Sequence, residues 1–157
     1  MRKFLLFFPV FLLLLTGWLS AQKIDINAII EDGAWIVGEA VPQGTVVAVL
    51  NFDSTSYVFS EYVIAELTEK LTIGRKVNVI DRQNLLPVSK EMNLQLSGNV
   101  SDQSAQAIGQ LLGAQSIVSG SLTNMGSFHR FRIRVIHVEN AAIQAQIFLD
   151  LYNVQVN

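Results

Sequence analysis

The chain has 157 residues, no cysteine and a formal net charge of −2. Without cysteine it has no disulfide, no thiol nucleophile and no Cys-ligated metal, so its stability must come from a hydrophobic core. A weakly acidic balance also lacks the basic field that attracts nucleic acid, and neither a nucleic-acid partner nor a cofactor is expected.

The chain opens with Arg2 and Lys3, an apolar run from Phe4 to Leu15, and then Thr16-Gly17-Trp18-Leu19-Ser20-Ala21. Charge, apolar core and small residues in that order read as a signal peptide over residues 1–21. The apolar core, about 12 residues long and containing Pro9, falls well short of the roughly 20 that a membrane-spanning helix needs. Cleavage is expected between Ala21 and Gln22, which places the mature protein, residues 22–157, in the periplasm or outside the cell. Gln22 stands where a bacterial lipoprotein would carry its acylated Cys, so no lipid anchor of its own is expected. Processing removes two basic residues and no acidic one, taking the formal charge from −2 to −4.

After the leader, Ile26, Ile29, Ile30, Gly33 and Val37 recur at helical spacing, with Asp25 or Asn27 available as N-cap. Pro42-Gln43-Gly44 punctuates the chain before Thr45–Phe52, a β-branched apolar run that predicts a strand buried on both faces. Asp53-Ser54-Thr55-Ser56 then offers caps for an amphipathic helix that carries Phe59, Val63, Leu67 and Leu71 and stops at Gly74. Val77–Ile80 predicts the next strand, and Asp81 caps a short helix over 84–92, in which Pro87 occupies either the first turn or a kink. Ser101 caps the clearest helix, with Ala105, Ile108, Leu111 and Leu112 on one face and Gly113 as its left-handed stop. Three strands follow, over Ser116–Leu122, Phe131–Val138 and Ile143–Leu149, joined by turns short enough for antiparallel hairpins. The order α-β-α-β-α-α-β-β-β describes a single α/β (α+β) domain, a mixed β-sheet flanked by helices that ends in an antiparallel meander.

Four blocks carry a resemblance: Val47-Ala48-Val49-Leu50-Asn51-Phe52, Val79-Ile80-Asp81-Arg82, Gln95-Leu96-Ser97-Gly98, and the run from Ile108 to Ser121. They resemble, in order, the successive blocks of the bacterial CsgG family, the group of the curli production assembly/transport component. That family is similar in fold to the penicillin-binding-protein activator LpoB and to the N-terminal domain of TolB. The resemblance implies a non-enzymatic envelope protein whose partners are envelope or secretion proteins, with self-association into a homo-oligomer. An LpoB-like activator of a peptidoglycan synthase is the alternative within that class. Two departures matter besides the missing acylated Cys. The segments between blocks are too short for the pair of membrane-crossing hairpins a secretion pore requires, each strand needing about 9 to 11 residues. Val138-Glu139-Asn140-Ala141-Ala142 stands where relatives carry a glycine-containing turn.

The residues themselves show little chemistry. Asp53 and Asp81 follow strands, where ligand-facing groups lie in open sheets, yet each precedes a helix and is expected to cap it. Asn51-Phe52-Asp53-Ser54-Thr55 is distantly similar to the haloacid-dehalogenase signature, but Asn51 stands where the nucleophilic carboxylate belongs. The first strand-to-helix loop has no phosphate-cradling glycines and no following Lys. His129 and His137 share one strand about 26 Å apart, too far for one metal. A small periplasmic hydrolase, the alternative from another class, needs polar groups converging on a pocket. The opposite face of that strand carries Arg130, Arg132 and Arg134 at period two, a basic stripe on an acidic protein and the candidate partner-binding surface.

Overall fold

The computed structural model describes residues 25–91 and 100–152. The signal reading and the Gln95–Gly98 block lie outside them. Four helices flank one five-stranded sheet in the expected order: α1 (Ile26–Ala40), β1 (Val46–Asp53), α2 (Tyr57–Gly74), β2 (Asn78–Val79), α3 (Arg82–Glu91), α4 (Asp102–Leu112), β3 (Ser116–Asn124), β4 (Phe128–His137) and β5 (Ile143–Tyr152). The spatial order is β2-β1-β3-β4-β5, with β1 parallel to β2 and β3, and β4 antiparallel to both β3 and β5.

The helix ends follow local chemistry. The Asp25 carboxylate accepts from the Asn27 N–H, and the Ser56 and Ser101 hydroxyls accept from the Phe59 and Ser104 N–H groups. Gly113 stops α4 in the left-handed conformation, as predicted. At the end of α2 the left-handed residue is Arg75, with Gly74 still helical, so the stop lies one residue beyond the expected glycine. Pro87 sits inside α3, which starts two residues earlier than its pattern predicts, at Arg82. β2 shrinks to two residues at the sheet edge, while β4 and β5 each extend three residues further than their apolar patterns indicate. Those extensions carry mixed polar and aromatic residues that pair through the backbone ladder, which apolar periodicity does not register.

The two faces of the sheet are covered unequally. On one face α1 and α2 seal a large core that contains Ile30, Val37, Val63, Leu67, Val118, Phe131, Ile133 and Val135. On the other, α3 and α4 pack a smaller core around Ala48, Leu50, Leu85, Ile108, Ile117 and Val138. Gly109 lets α4 lie close: a Cβ there would come within 2.6 Å of Val138 and 3.1 Å of Ile117. No described helix is long and apolar enough to cross a membrane.

One irregularity positions the candidate site. Val47 and Val49 join the α1/α2 core, and Ala48 and Leu50 join the α3/α4 core, as strand alternation requires. Between Val49 and Asn51 the pairing with β3 slips by a residue. Phe52 therefore returns to the α1/α2 side, where its ring lies 5.2 Å from Phe131 and 6.0 Å from Phe59. Its register partner is Gly120, and a Cβ there would meet the Phe52 ring at 2.5 Å and the Arg132 carbonyl oxygen at 2.7 Å. The glycine thus marks a close approach, and the bulge lies across the ladder in β1.

Candidate functional site

The period-two arginines of β4 project from the sheet face that carries α3 and α4, and the three side chains have different surroundings. Arg130 is bound by Asp150 of β5 through two hydrogen bonds, Nε to Oδ1 at 2.7 Å and Nη2 to Oδ2 at 2.9 Å. This pairing holds the Asp150 carboxyl below its ordinary range and raises the Arg130 guanidinium further. The guanidinium also lies 5.4 Å from the centre of the Phe128 ring and 5.6 Å from that of Phe148, so two aromatic faces flank one cation. Phe128 in turn contacts Tyr152 at 5.5 Å between centroids. Arg134 is likewise forked onto a carboxylate, Asp102 in the first turn of α4, at 2.5 and 3.2 Å.

Arg132 differs from both neighbours. Among the described residues no carboxylate pairs with it, and its Nε, like that of Arg134, is buried without a hydrogen-bond partner. It lines a polar cavity of about 110 Å³ together with Asn51, Asp53, Ser119, Ser121 and Thr123. The slip in β1 turns Asn51 and Asp53 toward this cavity. Asp53 therefore does not cap α2 as expected; Ser56 holds that role, leaving Asp53 at the strand end facing Arg132's side of the sheet. Asp81 does cap, accepting from the Gln83 N–H at 2.9 Å.

The result is a continuous surface on the outer half of the sheet: Phe128, Arg130, Phe148 and Tyr152, with the Arg132 cavity beside them. Phe148 and Tyr152 are exposed. Sequence reasoning found the arginines and missed the aromatics, although Phe128 has the parity of Arg130. Phe148 and Tyr152 share a face with them only through the β4–β5 register, which pairs Arg132 with Phe148 and Phe128 with Tyr152.

The histidines lie at opposite ends of β4. His137 is the register partner of Ser116, and both line a cavity of about 290 Å³ with Pro42, Gln43, Gly44, Thr45, Gln115 and Gln144. Among the described residues no carboxylate lines that space, and the Ser116 hydroxyl donates to Gln144 Oε1 at 2.7 Å. Among the described residues no three His, Cys, Asp or Glu side chains group as metal ligands. The turn before β5 closes with Ala141 at φ +56°, a left-handed position that a glycine would take without strain. The departure from the glycine-containing turn is thus accommodated by Ala141, in a hairpin whose ladder slips by one residue just beyond the turn, between Val135 and Ile136.

Residues 41–156 match the family model of the curli production assembly/transport component CsgG. The chain belongs to the CsgG family. No curated protein sequence matches it. Among solved structures it is similar to the LpoB C-terminal domain from Salmonella enterica, at TM-score 0.69 and 16% identity, covering 83% of this chain and all of that one. The same domain from Escherichia coli gives TM-score 0.67 over the same shares, also at 16% identity. The lipoprotein GNA1162 from Neisseria meningitidis gives 0.54 at 13% identity, over 70% of this chain and 81% of that one. At these identities the likenesses establish a shared fold.

Proposed function

We propose that this CsgG-family chain is an exported, non-catalytic protein that assists cell-envelope assembly or secretion by docking other envelope proteins on the outer face of β4 and β5. The observation that carries this reading is the cluster of half-buried Phe128 and Arg130 with exposed Phe148 and Tyr152, beside Arg132, which pairs with no carboxylate among the described residues. Arginine and large aromatics dominate the energetics of protein interfaces, because they bury much area while keeping a directional polar group. Family membership supports the envelope setting.

The test is crosslinking in intact envelopes, followed by identification of the protein captured by the wild type and by the combined Arg130→Gln, Arg132→Gln, Arg134→Gln variant. A secretion or surface-fibre component that is recovered with the wild type and lost with the variant is the expected result. Recovery of a peptidoglycan synthase in its place would favour the LpoB-like alternative. Unchanged partner recovery and envelope phenotype in the folded variant would refute docking at this face.

A further inference from the structure

The two edges of the sheet are unlike. One edge is β2, two residues long. The other is β5, ten residues long, with no further strand beyond it among the described residues. A free strand edge presents a row of unpaired N–H and C=O groups, and proteins blunt such edges with Pro, Lys, bulges or very short strands. β2 is blunted by its length. β5 contains neither Pro nor Lys, and its single charged residue, Asp150, is already held by Arg130. The irregularity in its pairing lies at the Ile143 end, so the ladder from Ala145 to Tyr152 is regular. Ile143, Phe148, Leu149 and Tyr152 are exposed along it.

We infer that β5 pairs antiparallel with β5 of a second copy across a two-fold axis centred on Phe148, joining two five-stranded sheets into one. Side-chain complementarity selects this occupant and this register. With Phe148 opposite its own copy, Gln146 faces Asp150, Gln144 faces Tyr152, Ile147 faces Leu149, and Ala145 faces Leu151. Each pair is aromatic with aromatic, amide with carboxylate or hydroxyl, or apolar with apolar, the combinations that stabilise facing strands. Centring the axis on Asp150 would set two carboxylates opposite each other. Centring it on Ile147 would place each Phe148 against Gln146 and forfeit the aromatic pair. A strand that is its own complement, with its one charge off the axis, suits a second copy of itself.

The absence of cysteine from the chain allows a direct test with single introduced thiols. Residues directly opposite in antiparallel strands have Cα atoms about 4.5 to 5.5 Å apart, within the roughly 4.4 to 6.8 Å span of a disulfide. Phe148→Cys should therefore form a disulfide-linked dimer under mild oxidation. Gln144→Cys and Tyr152→Cys should each remain monomeric on denaturing gels, because their two copies lie roughly 26 Å apart along the strands. Mixing those two variants should yield the crosslinked heterodimer. Light scattering on the wild type should show mass rising from one chain to two between micromolar and hundreds of micromolar concentrations. A single-chain mass throughout that range would overturn the inference, as would disulfides that form at 144 or 152 alone as readily as in the mixture. Both readouts use purified protein without any partner, so their failure leaves the docking reading standing, and loss of partner capture leaves this one standing.

Discussion

The two halves of the sheet follow different rules. In the parallel half β1 runs between β2 and β3, with helices on both faces, and every residue from Val47 to Phe52 is buried. In the antiparallel half β5 lies under α1 on one face only, and Leu151 is its one fully buried residue. Parallel strands need crossover connections whose helices cover the faces, whereas a hairpin needs only a turn and brings no cover with it. The meander therefore extends the sheet without enclosing it, and the face left open is where Arg130, Arg132, Phe148 and Tyr152 collect. In this protein the connections of the fold decide which surface is free to bind.

That contrast predicts unequal costs for similar truncations, the largest at the doubly covered strand. Leu50→Ala, at 0% exposure, should destabilise by about 2 to 5 kcal/mol, whereas Phe148→Ala, at 51% exposure, should stay within about 0.5 kcal/mol. Denaturant unfolding at low protein concentration measures both, and equal losses would erase the distinction between the halves. Gly120→Ala probes the seam between them, where a methyl group would press on the Phe52 ring and the Arg132 carbonyl. A loss of about 1 to 3 kcal/mol is expected there, and a neutral result would mean that β3 and β4 can separate without disturbing the core.

The smallest effect belongs to the Arg130–Asp150 pair on the open face. Arg130 lowers the carboxyl pKa of Asp150 in the folded state, so the pair's stabilisation is present above the ordinary carboxylate pKa of about 3.9 and is lost as pH falls through the lowered value. The gap in denaturation midpoint between wild type and Asp150→Asn should accordingly be present at neutral pH, close in acid, and shrink with added salt. A gap that persists in acid would show that Asp150 contributes through packing instead of charge.

Much of the fold was legible in the residues. Ser101 and Gly113 delimit α4 because an N-cap hydroxyl and a left-handed glycine act locally. The β-branched run of β1 marks a strand covered on both faces, and the alternation of β4 separates its arginines from Phe131, Ile133 and Val135. The site was legible only in part. Arg130, Arg132 and Arg134 look equivalent in sequence, and nothing in their spacing tells which of them finds a carboxylate.

The amino-acid sequence by itself determined the element order, both ends of α4 and the side of β4 on which its charges stand, since each depends on neighbours within a few positions. Tertiary structure alone decided that Asp150 and Asp102 engage Arg130 and Arg134 while Arg132 faces a cavity, and that a slip in β1 sends Phe52 inward and Asp53 toward that cavity. It also decided that β5 is the edge strand among the described residues. These outcomes depend on register between strands distant in the chain, where a displacement of one residue exchanges the faces of every side chain that follows.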